Sequence, residues 1–268
     1  MGIDWRNSVG LPLSGDEWLS VHHNAKRTER LEFAKKIIGN RDVKSVVDLG
    51  CGTGLWLDTF VQVLSDATNI YGIDLDKNSL KLAKEKSKHW PNKTQLIHAD
   101  FESDDFKLPE AEVYLAFNVF GYVSNPKETL RKIKRQLPPN AQLIIRQYDG
   151  AALRFGPMDH FSRLSIDASL YAGVGSSRQF YHYAFDRVFS AIIDAKFKAI
   201  DTYLDAYYVT SPYSPEQLSY IRNMLDWTSQ QISEVDLSKL DSWAQSNLCE
   251  QNSNSSYFYE TDLVAIVS

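Results

Sequence analysis

The stretch Val46-Val47-Asp48-Leu49-Gly50-Cys51-Gly52-Thr53-Gly54 constrains this chain more than any other. A short apolar run, Val43 to Leu49, ends in alternating glycines, and helical periodicity resumes from Leu55 to Leu64. Together they read as a buried strand, a tight loop and a helix. Such a loop brings backbone N–H groups and a helix N-terminus up to a ligand, and glycine is needed because a side chain would block that approach.

The alternation continues. Strands are predicted around Ile70–Ile73, Gln95–His98, Glu112–Phe117 and Gln142–Gln147, with helices over about Asn78–His89 and Pro126–Leu137. Strands alternating with helices of this length take right-handed crossovers and give a mainly parallel, doubly wound α/β sheet covered on both faces. Upstream, apolar residues from Trp18 to Ile37 recur at helical spacing and predict one or two helices. After Tyr148 the pattern changes. Gly150–Tyr183 is rich in glycine and aromatic residues without clean alternation, and reads as an insertion over the sheet edge. A helix over about Ala184–Ala195, a strand over Ile200–Val209, helices between Pro215 and Ala244 and a last strand over Tyr257–Val267 complete the chain.

Composition narrows the function. With 34 acidic and 29 basic residues the net charge is −5, so the chain lacks the basic footprint that nucleic acid attracts. Its two cysteines, Cys51 and Cys249, make neither a disulfide framework nor a spaced metal site, which suits a reducing compartment. No leader-like start and no apolar run of membrane-spanning length are present, so a cytoplasmic protein without a membrane partner is expected.

A dinucleotide fingerprint runs Gly-x-Gly-x-x-Gly, whereas here the third glycine comes one residue early and position 55 is Leu. An acidic residue followed by Gly-x-Gly-x-Gly, with Ile73-Asp74 ending the next strand, resembles the class I S-adenosylmethionine-dependent methyltransferases. The resemblance is good over Val43–Gln147. It implies a Rossmann-like, seven-stranded sheet whose last strand is antiparallel, S-adenosylmethionine as cofactor, S-adenosylhomocysteine as product, and no metal. It also implies that Asp48, Gly50, Cys51, Gly52, Gly54 and Leu55 cradle the cofactor and that Asp74, followed by Leu75, takes both ribose hydroxyls. Asp100 and Phe101 would flank the adenine, with Asn118 facing the cofactor and Tyr122 the acceptor. Asp74 could instead cap a helix, although Asp76 or Asn78 suits that job better.

At 268 residues with 43% hydrophobic content, one core and one domain are expected. Within it, 1–40 forms a helical cap, 41–149 the cofactor-binding half, 150–183 a substrate-side insertion and 184–268 the remaining sheet with added helices. The oligomeric state stays open between monomer and homodimer.

Methyl transfer from a sulfonium is an in-line displacement, so holding the acceptor near attack geometry and excluding water supplies most of the acceleration. A hydroxyl acceptor also needs a base, for which His160, His182 and Tyr122 are the candidates; an amine needs none. Aromatics such as Phe155, Phe161, Tyr171 and Tyr181 suit a small aromatic or amphipathic acceptor, or simply pack the insertion. Tyr122, Tyr148, His23 and Arg146 are the substrate-binding candidates. Arg146 either lies buried, needing a carboxylate, or emerges at its strand's end. Gly173 and Gly175 could hinge a lid.

The alternatives are weaker. Asn118-Val119-Phe120-Gly121 lacks the prolines of adenine-amino and glutamine methyltransferases, and neither cysteine follows a proline as in cytosine C5 enzymes. Arg131, Lys132, Lys134 and Arg135 could serve an RNA substrate, but at helical spacing they read as a solvated face. An RNA or protein substrate, a catalytically silent methyltransferase-fold binding partner and a nicotinamide oxidoreductase are the rival readings.

Overall fold

A computed structural model describes residues 16–176, 185–248 and 255–268. Two helices, α1 (Asp16–Ala25) and α2 (Arg27–Ile38), precede the first strand, β1 (Ser45–Leu49). Next come α3 (Leu55–Val61), β2 (Asn69–Asp74), α4 (Lys77–Ser87), β3 (Thr94–His98), β4 (Val113–Phe117), α5 (Pro126–Gln136) and β5 (Gln142–Gly156). The chain continues through α6 (His160–Ser176), α7 (Phe185–Ala195), β6 (Ile200–Thr210), α8 (Pro215–Ser229), α9 (Glu234–Asn247) and β7 (Tyr257–Val267). The strands form one seven-stranded sheet ordered β3-β2-β1-β4-β5-β7-β6. β1 pairs in parallel with β2 and β4, and β4 with β5. Beside the ends of β6 and β7, Ala199 and Ser268 exchange both N–H···O bonds at 3.2 Å, the mark of an antiparallel pair. The doubly wound fold with an antiparallel last strand is therefore as the sequence implies.

The described residues group into two compact units. One holds residues 27–148, 185–204 and 263–268. Its strands are apolar on both faces because successive side chains alternate. Val46, Leu115, Phe117 and Ile144 pack with Phe33 and Phe60, while Val47, Ala116 and Ile145 pack with Ile133, Val188 and Ile192. Burial on both sides is what a parallel sheet requires, and it leaves the carboxyl ends of β1, β2 and β4 as the place where loops can carry polar groups.

The other unit holds residues 16–26, 149–176 and 205–262, as far as these are described. Here α1 packs on α8 and α6 on α9. Phe155, Phe258, Trp243 and Tyr220 are buried among one another's rings. The insertion differs from expectation: β5 runs past Gln147 to Gly156, and a single long helix, α6, follows it. Gly173 lies within α6 against the Gln231 carbonyl, which a Cβ would overlap.

Candidate functional site

The loop after β1 is built on the end of β2. Gly50 and Cys51 both donate backbone N–H bonds to the Ile73 carbonyl, at 2.8 and 3.0 Å. Gly52 donates to Asp74 Oδ2 at 2.7 Å, and Gly54 closes a turn onto the Cys51 carbonyl at 2.9 Å. Gly50 is held at φ 73° and a Cβ there would overlap Val119, so only glycine fits. Gly54, at φ 79°, starts α3 in the left-handed region, and Leu55 is that helix's first residue.

Asp74 Oδ1 accepts from the Asp76 N–H at 2.8 Å, while the Asp74 carbonyl takes Ala99 N–H at 3.1 Å. The helix cap is Asp76, whose carboxylate accepts from Asn78 and Ser79 at the start of α4. Asp74 is thus anchored by the glycine loop rather than spent on capping. Leu75 beside it is exposed, and its carbonyl accepts from His98 Nε2 at 3.0 Å.

The site is acidic and desolvated. Burial pushes the Asp48 carboxyl well above the usual carboxylate range, and the nearby Asp74 adds to the effect. Burial also raises Asp74, against the lowering effect of the Asp76 and Gly52 N–H bonds. The Cys51 thiol is driven up by burial and then by Asp48 and Asp74, so it is not a reactive thiolate.

On the far side of β2, Asp100 accepts from Glu102 N–H at 2.8 Å, and Phe101 packs half-buried against the core. Across β1, the segment after β4 begins with Asn118 at φ 55°. Its N–H donates to the Arg146 carbonyl at 2.7 Å and its Oδ1 accepts from Tyr148 N–H at 2.8 Å. Arg146, level with Phe117 in the sheet, is buried, with its guanidinium over Phe33 at 4.7 Å and Trp56 at 5.4 Å. Of the two expectations for Arg146, burial holds, and aromatic faces line its guanidinium. The Arg30 guanidinium lies over the same Trp56 ring, at 4.6 Å. Tyr122 is half-buried in the segment, its N–H bonded to the Val119 carbonyl at 2.9 Å.

The structure therefore sets Asp48, the glycine loop, Asp74 and Asn118 at the carboxyl ends of β1, β2 and β4, and bonds Asn118 to Arg146 and Tyr148 within β5. His23 and His160 belong to the other unit, where His23 is buried on α1 and His160 is exposed at the start of α6 with its ring edge on Phe161. His182 lies outside the described residues. Sequence reasoning passed over Trp56, Gln147 and Arg187, which hold the walls of this region. Arg187 lies one turn before the buried Ala191 on the flank of an apolar helix, a position that marks a side chain bound for a polar partner at the core's edge.

The Arg131–Arg135 cluster is bound up with its own fold. Lys132 pairs with Asp104, Arg135 with Glu128 at 3.0 Å, and Lys134 donates to the Ala195 carbonyl at 3.2 Å. No described helix is long and apolar enough to cross a membrane.

A family model described as a methyltransferase domain matches residues 21–191, well over half the chain. The chain belongs to this family. It is an S-adenosylmethionine-dependent methyltransferase. A malonyl-[acyl-carrier protein] O-methyltransferase of Halalkalibacterium halodurans is 28% identical over 193 residues, 67% of this chain and 68% of that protein. A demethylmenaquinone methyltransferase of Staphylococcus saprophyticus is 28% identical over 120 residues, 42% of this chain and 49% of its own length. The methyltransferase thus spans about two-thirds of the one relative and half of the other. Among solved structures, Haemonchus contortus phosphoethanolamine N-methyltransferase 2, in complex with phosphomonomethylethanolamine and S-adenosylhomocysteine, superposes with a TM-score of 0.55 at 13% identity, over 96% of this chain and 58% of that one. The likeness is one of fold.

Proposed function

We propose that this methyltransferase moves the methyl group of S-adenosylmethionine to an O or N atom of a small aromatic or amphipathic molecule in the cytoplasm, its cofactor held by the loop from Asp48 to Leu55 and by Asp74. The carrying observation is the tie between Gly52 N–H and the Asp74 carboxylate, which fixes loop and acid as one cradle. The residues fit the group. Three loop glycines have positive φ, the Gly50 cradle has no room for a Cβ, and Thr53 Oγ1 is buried with no hydrogen-bond partner. The Asp74 carboxylate takes backbone N–H bonds from Gly52 and Asp76, and with about four lone-pair sites it retains acceptor capacity for a ribose hydroxyl. Asp100 and Phe101 are assigned to the adenine, and Asn118 to the cofactor's remaining edge.

Bound S-adenosylmethionine supplies an electrophilic methyl on a sulfonium. This chain's own residues bind, orient and exclude water. Tyr122, Tyr148 and the Arg146–Trp56 stack provide aromatic walls and one cation for the acceptor. A hydroxyl acceptor also needs a base, and His160, His182 and Tyr122, the last as its phenolate, are the residues to test for it. The two relatives, named for malonyl-[acyl-carrier protein] and demethylmenaquinone, support an acceptor outside the nucleic acids, and the internal pairing of the basic cluster on α5 disfavours RNA.

The test is calorimetric titration of S-adenosylhomocysteine into the wild type and Asp74→Ala, followed by a mass-spectrometric screen of phenols, amines and carboxylates. Losing the ribose hydrogen bonds is expected to weaken binding by about 1–3 kcal/mol. Unchanged affinity in folded Asp74→Ala overturns the ribose assignment. Methylation confined to added RNA or protein replaces the small-molecule reading.

A further inference from the structure

The segment from Asn118 to Ser124 links the cofactor loop to the acceptor residues; Asn118 is tied to β5 through Arg146 and Tyr148, and the residues after it leave the sheet. Val119 presses on Gly50, and Phe120, Gly121 and Val123 are buried without regular secondary structure. Buried irregular backbone must find partners for its carbonyls. Here three of them go to one side chain: Arg187 of α7 donates Nη1 to the Phe120 carbonyl at 2.9 Å and Nη2 to those of Val123 at 2.6 Å and Ser124 at 3.3 Å. The buried Gln147 of β5 accepts Gly121 N–H at 3.1 Å, and Glu102 takes Ser124 N–H and Oγ.

We propose that Arg187 is a positioning residue of the methyl-transfer site, clamping the 118–124 segment so that Val119 stays on Gly50 and Asn118 and Tyr122 hold fixed places beside the cofactor. The inference rests on the cofactor lying over the Gly50–Gly54 loop. Its logic is the fork of the guanidinium: two terminal nitrogens reach three carbonyls of one loop, which a lysine ammonium, a single point of charge, cannot span at once. Without the fork the segment has no other charged donor on its carbonyls among the contacts described above, and the contact of Val119 with Gly50 becomes one of several loop positions.

The test compares wild type, Arg187→Ala, Arg187→Lys and, as a control away from the site, Arg135→Ala, by titration with S-adenosylhomocysteine well below each variant's Tm and by amide exchange over residues 118–124. Arg187→Ala is expected to bind about tenfold more weakly, equivalent to about 1.4 kcal/mol, and Arg187→Lys about threefold more weakly, with faster exchange in the segment and an unchanged control. A lower Tm with unchanged affinity overturns the proposal and leaves Arg187 a structural brace. If Arg187→Ala does not fold, Arg187→Lys decides alone: weakened binding in folded protein supports the proposal and wild-type affinity overturns it. Absence of binding by the wild type removes the cofactor-site reading, and the proposal with it, a result distinct from loss in the variants alone.

Discussion

Asp48 is almost completely buried, and its negative form is disfavoured first by burial and then by Asp74. A carboxyl whose folded pKa is raised contributes stability that is fully present below its unfolded value near 3.8 and is lost as pH rises through the folded value. Asp48→Asn keeps the shape and removes the charge. In cofactor-free protein it is expected to melt above the wild type at neutral pH, by roughly 2–4 °C for each kcal/mol relieved. The two curves should converge below a pH of about 4. A series of melts across that range decides it; a variant less stable than wild type at neutral pH would show that the ionised carboxylate has stabilising partners. Residues of this kind were legible in the sequence, since glycines at fixed spacing after a strand and an acid ending the next strand each have a backbone reason to be there. Arg187 and Gln147 were not, because their partners are backbone groups of a loop 26 to 67 residues away, and no local pattern carries that information.

At the scale of elements, strands and helices of the alternating half were readable to within a few residues, and the errors lie where turn chemistry competed with a tertiary environment. Asp149-Gly150 carries a turn signal, yet β5 continues through it because Leu153 and Phe155 are buried on either side of exposed Arg154, the period of a strand. In α6 the buried stripe Ile166, Leu170 and Val174 has helical spacing, but the surrounding glycines and aromatics obscured it. The junction between α1 and α2 was equally silent. Lys26, the residue between them, is buried and ion-paired with buried Glu260 of β7, whose carboxylate also accepts from Tyr220 at 2.7 and 2.9 Å. His22 stacks on Tyr220 with ring centroids 4.8 Å apart. Removing one partner of such a pair strands the other charge in the interior. Lys26→Met is therefore expected to cost about 3–5 kcal/mol in urea unfolding, and Lys26→Met with Glu260→Gln to recover much of it. Additive losses in the double variant would show that the two residues act independently.

At the scale of the molecule, the described residues group into two compact units, which no stretch of sequence announces, for a physical reason. One unit is assembled from residues 16–26, 149–176 and 205–262, and periodicity within a window says nothing about which distant windows pack together. The family resemblance, running from Val43 to Gln147, lies wholly in the other unit. This division makes a prediction about the cofactor. All the residues assigned to it, from Asp48 to Asn118, belong to the unit of residues 27–148. At a concentration about 100 times its Kd, S-adenosylhomocysteine should stabilise the protein by about 2.7 kcal/mol and raise Tm by roughly 5–10 °C. Amide exchange should locate the effect: protection over 49–56, 73–76 and 118–122, and little over 160–176 in α6. A ligand stabilises only the conformations that bind it, so amides whose opening leaves the cradle intact gain nothing from its presence. Protection strongest over 160–176 and 215–247 would instead place the main cofactor contacts in the other unit and displace Asp74 from its role.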